Sequence, residues 1–135
     1  MGDELERLRV NFYAGIRTPA CPVVVNDEVD LVGSAKGSGS VISIEALEPE
    51  PTLLIELGSD GSEHFSSLSE LRSRSAHRGM TVNERLYAAS LMDIFDDAVR
   101  HRDRAAMIRI LRFVHVDPAE ATADPILKDP RKYGY

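Results

Sequence analysis

VISIEALEPEPTLLIEL, residues 41–57, decides the fold class. Val41-Ile42-Ser43-Ile44 and Leu53-Leu54-Ile55-Glu56-Leu57 are short β-branched and leucine-rich runs that read as two strands. Glu48-Pro49-Glu50-Pro51 separates them, and proline cannot donate to a ladder, so one strand ends and the next begins there. Working outward, Glu28-Val29-Asp30-Leu31-Val32 alternates with period two, and Val23-Val24-Val25 opens the β region. Gly58-Ser59-Asp60-Gly61 is a tight-turn signal leading into Glu63-His64-Phe65. Leu68-Ser-Glu-Leu71 is one short turn that puts two leucines on the same side. Gly33 to Ser40 (GSAKGSGS) reads as a flexible loop whose three glycines tolerate positive φ. Five short strands over about fifty residues are too few for a sandwich, and they suit a small, strongly bent barrel without exposed edges.

The arrangement resembles the small barrels of Src-homology, Tudor and KOW type. It is similar in particular to a bacterial family of barrels with a G-x-G-x-V strand (Gly37, Gly39, Val41), an E-L strand (Glu56-Leu57) and a terminal L-R (Leu71-Arg72). That resemblance covers about a third of the chain and implies a fold, with no activity attached.

From Ser66 to Gly79 the chain is rich in Ser and Arg and reads as a linker after Leu71. Beyond Met80 the period becomes 3.6. Thr81-Val-Asn-Glu84 is a capping box, and Tyr87, Leu91, Ile94, Phe95 and Ala98 form a stripe that predicts one helix near 82–100. Asp103 is expected to cap a second helix with Ala105, Ile108, Leu111 and His115 on one face. Asp117-Pro118-Ala-Glu120 starts a third, kept short by Pro125 and Pro130. The rings of the closing Lys-Tyr-Gly-Tyr are expected to fold back onto the helices. Met80 to Leu86 and Tyr133 to Tyr135 resemble small bacterial helical proteins that begin Met-Thr-Val-Asn-Glu-Arg-Leu and end Tyr-Gly-Tyr; Met80 would then be a start in relatives. The expected class is α+β: an N-terminal extension (1–21), a five-stranded barrel (22–72), a linker (73–79) and a helical domain of two to three helices (80–135).

The chain has 135 residues, 43% of them apolar and 28% charged, enough to form a core. Neither a run of ~18 apolar residues nor a signal-peptide core is present, so no membrane association and cytoplasmic residence are expected. Glu6 stands where a myristoylation site wants Ser or Thr. The one cysteine, Cys21, excludes an internal disulfide and reads as a buried thiol. The net charge is −6, and residues 1–79, with 7 Lys/Arg against 13 Asp/Glu, carry all of it. That half would repel a phosphate backbone, which makes nucleic acid a poor partner.

Five constellations could carry chemistry. The glycine loop lacks the order of a phosphate cradle and has no long helix after it. Asp93, Asp97 and His101 recur every four residues on one helical face, as metal ligands in a bundle can, although a solvated face is the plainer reading. His64, His77, His101 and His115 pair with no nucleophile, and His115 is the one expected to be buried. Arg100, Arg102, Arg104, Arg109 and Arg112 could touch phosphates, but acids stand among them, and pairing with the acidic barrel is expected instead. Glu45, Glu48, Glu50, Glu56, Asp60 and Glu63 form an acidic rim able to steer a basic protein partner.

No catalytic site and no cofactor are expected. The residues favour a non-enzymatic protein-binding module, one version of which is an immunity or antitoxin-type inhibitor. The alternatives are a homo-oligomeric accessory protein whose helical tail packs on its copy and, remotely, a metal-dependent enzyme.

Overall fold

The computed structural model describes residues 4, 10, 11, 14–33 and 36–135, the side chain of Lys36 excepted. Five strands for which bounds are described, β1 (Glu28–Val32), β2 (Lys36–Ala46), β3 (Thr52–Leu57), β4 (Glu63–Ser67) and β5 (Leu71–Ser73), precede α1 (Val82–Ala88), α2 (Met92–Arg100), α3 (Arg104–Phe113) and α4 (Glu120–Lys128) among the described residues. The fold is α+β, as expected. All the strands lie antiparallel in one sheet, in the order β4-β3-β2-β1-β5. The pairing leaves β4 and β5 as edges, so the sheet is open where a closed barrel was expected. It is nevertheless curled. Only the three residues of a 3₁₀ turn, Leu68–Glu70, join the two edge strands, a reach of about 14 Å at most. A flat sheet would hold its edges about 19 Å apart, at the usual strand spacing. Irregularities in β2 between Val41 and Ser43 and between Ile44 and Ala46 supply local bends of the kind bulges produce.

Several expectations are corrected locally. Val23–Val25 is not a strand; Val23 is buried in the core and Val25 donates its N–H to the Ala14 carbonyl, 2.9 Å. Gly37 to Ser40, expected in a flexible loop, belong to β2, while Ser34 and Ala35 lie outside the described residues. Gly39 pairs with Val29 on one side and Leu57 on the other, and a Cβ there would sit 2.3 Å from the Glu56 carbonyl oxygen. Glycine is therefore required by close backbone approach, not by flexibility. In the stretch expected as a linker, Ser73 ends β5 and Ala76 is buried.

The helix expected over 82–100 is two. Ser90 takes φ 60°, its N–H donates to the Tyr87 carbonyl, and the Leu91 N–H donates to the Leu86 carbonyl. That pair of bonds is a Schellman closure with Ser90 in the left-handed position. The same closure recurs at Arg102 (φ 52°) and His115 (φ 67°). The capping box at Thr81 and Glu84 and the cap at Asp103 form as expected. The face of α3 is rotated from expectation: Ala106, Met107, Ile110, Leu111 and Phe113 are buried, whereas Ala105 is exposed. α4 runs through Pro125 to Lys128, further than two prolines suggested.

One hydrophobic cluster joins the two parts. Inward residues of the sheet (Val29, Leu31, Val41, Ile44, Leu53, Ile55, Leu71) belong to it together with Leu86, Leu91, Phe95, Met107, Ile110 and Leu111 of the helical part. Tyr87, expected in the stripe, is instead 80% exposed. Two polar ties reinforce the junction. The half-buried His115 donates from Nε2 to the Ser73 carbonyl, 2.8 Å, and Arg85 donates to the carbonyls of Met80, Arg78 and His115. Among the described residues, no helix is long and apolar enough to cross a membrane.

Candidate functional site

The alternation of β3 decides what the outer face of the sheet presents. Leu53, Ile55 and Leu57 point into the core, so Thr52, Leu54 and Glu56 point away from it. In the β3–β4 register Leu54 stands opposite Phe65 and Glu56 opposite Glu63. Phe65 is 71% exposed, and the outward Ile42 beside the β2 irregularity is 36% exposed. The face thus has an apolar centre, Ile42, Leu54 and Phe65, with two glutamates facing each other at one end. Like charges directly opposite on neighbouring strands are destabilising, so this pair does not serve the stability of the sheet.

The edge strand β4 adds a second property. Leu57 donates to the Ser62 carbonyl and Leu68 to the Pro51 carbonyl, 2.8 and 2.9 Å. Antiparallel ladders alternate between bonded and non-bonded pairs, so His64 and Ser66 spend their backbone groups on β3. The backbone N–H and C=O groups of Glu63, Phe65 and Ser67 therefore face the open edge.

The acidic rim expected from sequence is divided by the sheet. Glu56, Asp60 and Glu63 gather at the β3–β4 turn. Ser62 donates to Asp60 from its hydroxyl (2.6 Å) and its N–H (2.9 Å), and these bonds hold the exposed Asp60 carboxyl below its ordinary pKa. His64 Nε2 lies 3.2 Å from the same hydroxyl. Glu45, Glu48 and Glu50 lie at the other end of β3, where β2 turns into it. The Ser43 hydroxyl donates to Glu45 (2.9 Å) and the Ser69 hydroxyl to Glu50 (3.1 Å).

The other constellations are placed as follows. Among the described residues, no three His, Cys, Asp or Glu side chains are grouped to hold a metal ion. Asp93 and Asp97 are exposed on α2, Asp97 pairs with Arg100 at 3.3 Å, and the His101 Nδ1–H donates back to the Asp97 carbonyl, 2.8 Å. Asp96, between them, accepts the Tyr135 hydroxyl at 2.5 Å. Burial, then that bond, pushes the Tyr135 pKa far up. Tyr135 thus folds back onto α2, while Tyr133 is 45% exposed. His77 Nδ1 accepts the Gly79 N–H, 3.2 Å. Cys21 is buried, and desolvation raises its thiol pKa, which keeps it unreactive.

The arginines pair within the helical part rather than with the acidic strands: Arg104 with Asp124 (2.8 Å) and Arg112 with Glu120 (3.0 Å). Arg102 donates to the Leu127 carbonyl and Arg109 to the Pro19 carbonyl. Sequence reasoning missed Ile42, Leu54 and Phe65. The signal was present in the alternation of TLLIEL, but only the β3–β4 register places Phe65 against Leu54. No protein-family model, curated protein or solved structure matches the chain.

Proposed function

We propose that the chain is a non-enzymatic, cytoplasmic protein-binding module that takes a basic protein partner on the outer face of its sheet, in the manner of an immunity or antitoxin-type inhibitor. The carrying observation is Phe65, 71% exposed on the open β4 edge, in register with Leu54 and two positions from the facing Glu56–Glu63 pair. An apolar centre with a polar rim is the anatomy of a protein interface, and the mutually repelling glutamates gain favourable energy only when a cation approaches. The partner would place an aliphatic or aromatic side chain on Phe65 and Lys or Arg beside Glu56, Asp60 and Glu63. On this reading the curled sheet is a variant of the small bacterial barrels that its G-x-G-x-V strand resembles. Leu91, Phe95 and Ala98 of the helical stripe share one buried cluster with the sheet, which favours this reading over a homo-oligomer whose helical tail packs on its copy.

A photo-crosslinking phenylalanine analogue at position 65, with position 87 as an equally exposed control, tests the reading in native cells. The expected result is one adduct with a basic protein at 65, absent at 87 and weakened by added salt or by Glu56→Gln with Glu63→Gln. Adducts only between copies of the chain, or the same adducts at both positions, would refute it.

A further inference from the structure

A cleft of about 380 Å³ opens between α3 and the curled end of the sheet, within the size range of small-ligand sites. Pro49, Leu68 and Ile108 supply apolar lining, and Arg109 and Arg112 reach it from one side of α3. Arg109 donates one bond, from Nη1 to the Pro19 carbonyl at 2.8 Å, and Arg112 one, from Nη2 to Glu120 at 3.0 Å. These bonds orient both guanidinium groups and leave most of their donors without a partner among the described residues. Arg104 also lines the cleft, but its guanidinium donates to Asp124 at 2.8 and 3.3 Å. A further guanidinium stands close by. Arg72, half-buried on β5, donates to the Ser69 and Leu71 carbonyls. Burial chiefly disfavours its charged form; Asp117 offsets part of this, and the neighbouring Arg112 adds a smaller effect in the same direction as burial.

We propose that this cleft binds a small organic monocarboxylate with a flat apolar body. Guanidinium forks match a planar carboxylate bidentately, and the apolar lining would cover the rest of the molecule. Inorganic phosphate or a phosphate monoester fits less well, because Glu50 and Glu120 also line the cleft and ion pairs with Asp124 and Glu120 already offset the charges of Arg104 and Arg112, leaving little to balance a second negative charge. The site lies on residues separate from the outer sheet face, so neither proposal depends on the other.

Methyl and arginine side-chain NMR of the whole protein with 1-naphthoate as probe tests it, with 1-naphthalenemethanol and inorganic phosphate as comparison arms. Saturable shifts at Leu68 and Ile108 and at the Arg109 and Arg112 Nε–H groups are expected, with the alcohol and phosphate each at least about tenfold weaker. Arg112→Gln should weaken naphthoate by a similar factor. Glu120→Gln, which frees Arg112 and removes a competing carboxylate, should tighten it, a gain that misfolding could not produce. Phe65→Ser should change nothing here. Equal affinity for naphthoate and the alcohol, shifts that do not saturate, or an unchanged affinity in both the Arg112 and Glu120 variants would overturn the proposal.

Discussion

Gly39→Ala isolates a single backbone contact and gives it a sign. An ideal Cβ at Gly39 meets the Glu56 carbonyl oxygen at 2.3 Å and Ile55 Cγ2 at 3.0 Å. An ordinary carbon–oxygen contact is about 1 Å longer than the first of these, and the obstacle is backbone of the paired strand. β2 and β3 must therefore separate locally, which strains a ladder between two buried residues. Overpacking of this kind typically costs about 1–3 kcal/mol. Gly58 is the control: its Cβ would lie 3.7 Å from the Ser38 carbonyl, and its φ is not in the left-handed region. There, Gly→Ala should be neutral or stabilising by a few tenths to about 1 kcal/mol, through lost freedom of the unfolded chain. Urea unfolding of both variants reads the difference as a shift in midpoint at constant m. If Gly39→Ala matched Gly58→Ala, the close-approach account of the G-x-G sequence would fail, and the flexible-loop reading of GSAKGSGS would return.

Two further outcomes follow from the helical part. Ser90→Gly relieves a left-handed φ of 60° at a Schellman position and should stabilise by about 0.5–1 kcal/mol, the left-handed strain minus the added glycine entropy, measured as a rise in Tm. Tyr135→Phe tests the bond to Asp96 through pH. The folded hydroxyl has its pKa raised above the ordinary 10.0, so its stabilisation is complete below pH 10 and is lost as the unfolded-state tyrosine ionises above it. The Tm gap between wild type and Tyr135→Phe should accordingly be constant below about pH 9.5 and shrink above pH 10, and a gap independent of pH would contradict the assignment.

What could be read from the sequence was whatever local chemistry specifies by itself. The capping box at Thr81 and Glu84, the Asp103 cap and the proline-bounded β2–β3 connection each need only neighbouring residues, and all three are present. The helix ends were not legible for a stated reason. All three Schellman closures put Ser90, Arg102 or His115 where glycine is the usual signal, so the apolar period ran on across Ser90 without interruption. The strand at Leu71–Ser73 was missed because three residues show no alternation; its pairing with Leu31, Asp30 and Val29 is a long-range fact. The open sheet was equally hidden, since strand count and turn spacing are the same whether or not the edges meet.

The charge distribution shows how these non-local facts alter a functional reading. From sequence, six acids looked like one rim and five arginines like its intramolecular complement. In the structure, Asp97, Glu120 and Asp124 take arginines from their own helical part. Glu56, Asp60 and Glu63 are therefore left on the sheet with serine and histidine for company and no arginine among their ion pairs with described residues. A surface that sets two glutamates opposite each other beside an exposed phenylalanine gives up stability, because like charges directly opposite on neighbouring strands repel. On the proposed reading the acids serve a basic partner, so charge reversal at Glu56 and Glu63 should disturb binding before it disturbs folding.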